Sequence, residues 1–430
     1  MSNELIILVM AGVFMGLSLL GVPVAIALLG GAILGGVLID MPLNAVIGRM
    51  YDGVNSVPLL AIPFFILAAE LLNSSGVAAR IVRFAQTIVG HYRSGLAQVN
   101  ALFSILFAGK SGSSTADVAA NSKLLLPAMK LDGYRPEQSA ALIAIASTIA
   151  NLIPPSILAI VYGAIGGVSI SGLFIGGFGP GLFVGFSLML YSRFFVKGPK
   201  HPRASAREVA TATQRAFLPL MIPVIILGGI FTGLFTPTEA GMIAVVYGLI
   251  IVIPLLAPRH LRNLPRDFAD SAITYAAPLL AVAAASAFAW MLALLQAPRA
   301  VAGYLSFAAD NPRLMLLLVV LVVVFLGQLI DPVPATVILM PLILEMTALA
   351  GIRPLHMGIT VVTALTFGLV TAPYGLSLLM ATSFAGVPFV KGLKEAIPMY
   401  SIFILLLGVL IVSEDAALFL PRYFLPDFAF

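Results

Sequence analysis

The sequence has no cysteine, which excludes disulfides and thiolate metal sites. His91, His201, His260 and His356 are scattered, without the spacing of a metal site. Charge is scarce too: 10% of the residues are charged, against roughly 25% in an ordinary soluble chain. The net charge of +5 is gathered in particular loops, so no nucleic-acid partner is implied. The single tryptophan, Trp290, is read as a helix-packing residue. No basic region precedes the first apolar run, MSNELIILVM, so that run reads as a retained span and not as a cleavable signal.

What the chain does have is apolar length. Hydrophobic residues make up 60% of it, and 138–192, 216–238, 240–258, 271–298, 314–330 and 357–390 carry no charge at all. A spanning helix needs about 20 apolar residues, so the chain reads as an all-α, multi-pass integral membrane protein lying in a lipid bilayer. Spans are expected at 4–20, 22–39, 54–72, 138–168, 172–196, 216–234, 240–257, 270–296, 357–388 and 396–412. Residues 74–93 are too polar to span; Val77, Ile81, Phe84 and Ile88 share a helical face, predicting an interfacial arm.

Two regions do not fit as single spans. Residues 94–128 are two apolar pieces around GKSGSS, and 313–344 are two pieces around Gly327–Pro332. Each predicts a re-entrant hairpin, since irregular backbone at membrane depth survives only beside protein or a watery cavity. With both hairpins returning to their own side, 73–95, 129–137, 197–215, 258–269 and 389–395 face one way and hold 15 of the 23 Lys and Arg. That side is therefore expected to be cytoplasmic, and both termini periplasmic.

The halves also repeat. Asp117 and Asp331 are 214 positions apart, as are Pro127 and Pro341; Pro155 and Pro373 are 218 apart. Each half then holds five spans plus a hairpin, and an odd number turns the second half upside down. Residues 1–196 form the first inverted repeat, 197–215 a cytoplasmic linker and 216–430 the second repeat. This is a transporter plan with its substrate near the midplane.

Both long spans are broken by proline, at Asn151–Ser156 and at Thr371–Gly375. Proline removes backbone donors and frees carbonyls one turn earlier. Freed carbonyls suit a small hard cation, while half-helix N-termini suit an anion. One break and one hairpin tip per half therefore predict two cation sites flanking one anion site. Glu70, Lys110, Asp117, Lys123 and Asp331 are the main charges at depth. Asp117 is read as bracing, by capping or by pairing with Lys110 or Lys123; Asp331, at the second tip, either orients its turn or faces the ion.

The triplet Gly109-Lys110-Ser111 invites a nucleotide reading, which fails. A phosphate loop needs glycine at position 104, which is Ser104, and a soluble strand–helix context. GKSG also lacks the spacing of a nucleophile elbow, and no histidine lies at that depth. Neither nucleotide, transition metal nor enzymatic activity is expected.

The motifs SGSSTAD at 111–117, IPPS at 153–156, GLFTPTEA at 233–240 and GQLIDPVPATVILMP at 327–341 together resemble the large membrane subunit of tripartite ATP-independent periplasmic (TRAP) transporters, over essentially the whole chain. The resemblance implies inward movement of an organic acid, driven by two or more sodium ions, through an elevator motion in the bacterial inner membrane. It implies two partners: a soluble periplasmic substrate-binding protein, and a small four-span membrane subunit, expected as a separate chain. Carried onto these residues, it implies one sodium site from Ser111 and Ser113 with carbonyls near Ala150, Ile153 and Pro155. Through the repeat, Gly327, Gly368, Thr371 and Pro373 make the other. Ser114, Thr115, Asn151 and Thr336 are candidate substrate contacts. The competing expectation is a sodium-coupled dicarboxylate or anion carrier of the same superfamily that needs no binding protein.

Overall fold

The computed structural model describes residues 2–108 and 112–426, and among them there is no strand. Among the described residues eight helices are long and apolar enough to cross a membrane, from Val57–Ser74 to Phe389–Val412. All ten stretches expected to span are largely helical, but two are shorter than a bilayer usually needs: Asn3–Leu19 and Val24–Leu38. The two proline-bearing spans are each divided. The first runs Pro136–Ser147, a 3-10 turn over Thr148–Asn151, then Ile157–Gly166; the second runs Pro354–Gly368, then Leu376–Ala385. A cis peptide precedes Pro155 and Pro373 alike.

Several boundaries fall where hydropathy alone does not place them. The helix Ala206–Phe231 begins inside the segment read as linker. Ser205 and Glu208 form a reciprocal capping box there, so the helix starts ten residues before the apolar run does. The arm forms a helix over Ala78–Val89, but its apolar face is spent on protein: Ile81, Val82, Ala85 and Val89 are buried, and the helix packs on Ala206–Phe231 and Gly95–Phe107. Ile88, expected on the apolar face, is exposed. Further amphipathic helices, among them Leu43–Val54, Ala297–Tyr304, Phe389–Ala396 and Glu414–Phe424, join longer elements.

The two predicted hairpins are helix pairs of unequal build. The first pairs Gly95–Phe107 with Ser114–Leu131; the second pairs Pro312–Leu329 with Pro332–Leu349. Both arms of the second have 18 residues, about 27 Å at 1.5 Å per residue. Their length alone would let them cross a bilayer, so it is where the tips lie that distinguishes them.

The halves interlock. Ser114–Leu131 packs on Pro136–Ser147 of its own half and on Leu376–Ala385 of the other. Pro332–Leu349 reciprocates by packing on Ile157–Gly166. Around this core Val24–Leu38, Leu43–Val54 and Ala61–Ser74 gather on the long helix Leu264–Leu294, which also lies along Pro332–Leu349. Lipid tails are as apolar as leucine, so helices associate through close packing at small residues. Gly177 is such a point: a Cβ there would lie 2.5 Å from the Leu152 carbonyl oxygen, at the back of the first break.

Candidate functional site

The first tip and the first break are joined by backbone. The Ile157 amide donates to the Gly112 carbonyl at 3.1 Å. Gly112 has φ +60°, and a Cβ on it would lie 2.6 Å from the Pro155 carbonyl oxygen, so both its conformation and its contact call for glycine. Asn151 ties the break to the hairpin: its Oδ1 accepts from the Ser114 amide at 3.0 Å. The Ser156 hydroxyl donates to the Asn151 carbonyl at 2.6 Å, while its oxygen caps Ile157–Gly166 by accepting from Ala159. Among the described residues nothing donates to the carbonyls of Ile153 or Pro155. Both residues are buried, and carbonyl oxygens are groups that a hard cation can take.

Ser113 caps Ser114–Leu131 and lies 3.0 Å from the Thr115 hydroxyl. Ala150 and Ile153 are buried. Gly109, Lys110 and Ser111 lie outside the described residues, so the expected role of Ser111 and the pairing of Lys110 have no structural account. Lys123 is exposed, away from the buried Asp117. Asp117 is 2% exposed, and neither it nor Glu70 is without a partner.

The second tip meets the second break through glycines. A Cβ on Gly368 would lie 2.6 Å from the Gly327 carbonyl carbon and 2.8 Å from its Cα, so the two backbones touch. The Gly368 carbonyl accepts from the Thr371 amide at 3.2 Å and from its hydroxyl at 3.0 Å. Asp331 caps Pro332–Leu349, accepting from the Val333 amide at 3.0 Å, which orients its turn. Thr336 is fully buried and its hydroxyl donates within its own helix, to the Pro332 carbonyl at 2.7 Å. Pro373 stands in the exposed stretch Ala372–Tyr374.

At this site the halves also meet through side chains: the hydroxyls of Ser114 and Ser377 lie 2.9 Å apart, both buried. Sequence reasoning missed Ser377. Its counterpart 218 positions earlier is Ala159, so the repeat gives no hint of it. Behind the tip a polar seam runs between the hairpin arms, where the Asn121 amide reaches the hydroxyls of Ser104 at 3.4 Å and Ser147 at 3.3 Å. Three helix N-termini thus converge here, those of Ser114–Leu131, Ile157–Gly166 and Leu376–Ala385. Their first-turn N–H groups favour negative charge, and the buried hydroxyls can serve either sign. Among the described residues no cluster of three or more His, Asp or Glu could hold a metal ion.

Comparison with known proteins agrees in one direction. A family model for the tripartite ATP-independent periplasmic transporter, DctM component, matches residues 11–416. The large permease protein of a sialic acid TRAP transporter from Vibrio cholerae is 33% identical over 416 residues, 96% of this chain and 97% of that one. That of a 2,3-diketo-L-gulonate TRAP transporter from Escherichia coli is 33% identical over 415 residues, 95% of this chain and 97% of that one. The YdaH transporter of Alcanivorax borkumensis shares the fold with a TM-score of 0.58 at 14% identity, over 86% of this chain and 87% of its own.

Proposed function

The chain belongs to the family of the TRAP transporter large permease, the DctM component, and from that premise we propose that it takes up an organic acid by sodium-coupled secondary transport across the bacterial inner membrane. The substrate is handed over by a periplasmic binding protein, and a small membrane subunit braces the outer helices. The named substrates of the two relatives, sialic acid and 2,3-diketo-L-gulonate, are both sugar acids, which supports a carboxylate as the recognised group.

The observation that carries this reading is the buried meeting of two tips and two breaks, closed by Ser114 and Ser377. A loop that crossed the membrane would end in water. These tips end against broken helices, with Gly112, Ser114 and Gly327 buried, which supports re-entrant hairpins within an inverted repeat. In this reading Ser111 and Ser113, with the carbonyls of Ala150, Ile153 and Pro155, hold one sodium. Gly327, Gly368, Thr371 and Pro373 hold the second. Ser114, Thr115, Asn151 and Thr336 border the carboxylate, whose charge is met by helix N-termini, because no arginine is buried there. The hairpins and broken helices move together as an elevator against the helices gathered on Leu264–Leu294.

The test is uptake in proteoliposomes holding this chain and its small subunit, with a binding protein whose ligand has first been identified. Uptake should require both the binding protein and an inward sodium gradient. Equal uptake without the binding protein would favour the simpler anion carrier; uptake indifferent to sodium would remove the two cation sites.

A further inference from the structure

Away from the tips and breaks, a cavity of about 720 Å³ opens between the arm helix, the stretch before Ala206, the first turns of Ala206–Phe231 and the end of Ser114–Leu131. Arg83, Arg203, Arg207 and Arg215 line it from three of these segments. Two carboxylates share it, and both are already engaged. Asp132 accepts from the His201 ring at 2.6 Å. Glu208 accepts from the Ser205 amide at 2.8 Å and hydroxyl at 2.9 Å. Among the described residues none of the four guanidinium groups makes a hydrogen bond or an ion pair within the protein, although the bonds from Ser205, helped by the Arg83 charge, hold the Glu208 carboxyl below its ordinary value.

The rule that loops facing the cytoplasm are basic accounts for arginine on this side of the molecule. It does not account for four arginines from three segments lining one open cavity beside acids that already have partners. We propose that this cavity binds a phosphate-bearing anion. Guanidinium forks match phosphate oxygens two at a time. Leu96, Ala128 and Ala212 form an apolar wall beside the charged rim, suited to the organic part of a phosphate ester. The volume lies within the roughly 300–1,000 Å³ of small-molecule sites. Two sources carry this chemistry: the headgroup of an anionic phospholipid and a soluble phosphate.

The experiment uses the full chain purified in neutral detergent. Phosphatidylglycerol is titrated and retained lipid counted by native mass spectrometry, with phosphatidylcholine as the neutral reference. Inorganic phosphate is titrated separately by calorimetry. Saturable phosphatidylglycerol binding identifies the lipid source, and saturable phosphate binding the soluble one. In either arm the double variant Arg203→Gln/Arg207→Gln should bind about tenfold more weakly, through loss of charge-assisted bonds, while Arg299→Gln, outside the cavity, binds as the wild type does. If the double variant fails to elute as a single folded species, Arg215→Gln is read in the same way. Binding of neither probe, or equal binding by wild type and cavity variants, overturns the site. Because the readout is binding and not uptake, its failure leaves the transport reading untouched.

Discussion

The two helix breaks are built by the same device and finished differently. At 151–156 every residue is buried, and the missing backbone partners are replaced by side chains: Asn151 for the Ser114 amide and Ser156 for the Asn151 carbonyl. At 371–375 the turn bonds back to near neighbours, Thr371 to Gly368 and the Ser377 amide to the Leu369 carbonyl, while the Tyr400 hydroxyl reaches the Val370 carbonyl from a later helix. Ala372, Pro373 and Tyr374 are exposed there, Tyr374 at 47%. Proline thus interrupts both helices, but the amide that restarts the first, Ile157, donates to the Gly112 carbonyl of the hairpin tip, whereas that of Ser377 in the second donates back to Leu369 of its own segment. The first joint therefore meets its hairpin tip through hydrogen bonds, and the second meets its tip through the Gly368–Gly327 backbone contact.

The comparison can be broken most sharply at its tightest contact. Gly368→Ala places a methyl against the Gly327 backbone, and neither side is a flexible side chain that can turn away. A loss of about 3 kcal/mol is expected, seen as a lower midpoint in thermal unfolding of the detergent-solubilised protein. A wild-type midpoint would mean that the second tip does not seat on the second break.

The next effect separates the first joint from the second. Asn151→Ala leaves the buried Ser114 amide without its acceptor and is expected to cost about 2 kcal/mol. Thr371→Val removes a hydroxyl from a carbonyl that keeps its amide donor, and about 1 kcal/mol is expected. If the two variants melt alike, the first break does not depend on the hairpin as its geometry says.

Between the halves, a double-mutant cycle of Ser114→Ala and Ser377→Ala should return a coupling of about 1 kcal/mol. Additive losses would show that the hydroxyl pair is not formed in the membrane. Ser113→Ala should leave the unfolding midpoint within about 1 kcal/mol of wild type, the usual worth of a helix cap, yet shift the sodium activation of uptake to higher concentration. An unshifted activation curve would count against Ser113 in the first site. The smallest change is expected of Tyr374→Ala, within about 0.5 kcal/mol, because that ring stands exposed at the open break.

What the sequence determined by itself was whatever hydropathy and proline decide locally. Uncharged runs announced the helices, and the paired prolines at 155 and 373 announced the breaks, since a missing donor interrupts a helix whatever surrounds it. The motifs at 111–117, 233–240 and 327–341 announced the family, which the comparisons bear out. The tertiary structure decided what depends on neighbours remote in the chain. It put Ser377 against Ser114, turned the apolar face of Ala78–Val89 onto protein, and carried Ala206–Phe231 back to the cap at Ser205. It also made one break closed and the other open. Burial and hydrogen-bond partnership belong to pairs of segments, and no single stretch of sequence contains both members of the pair.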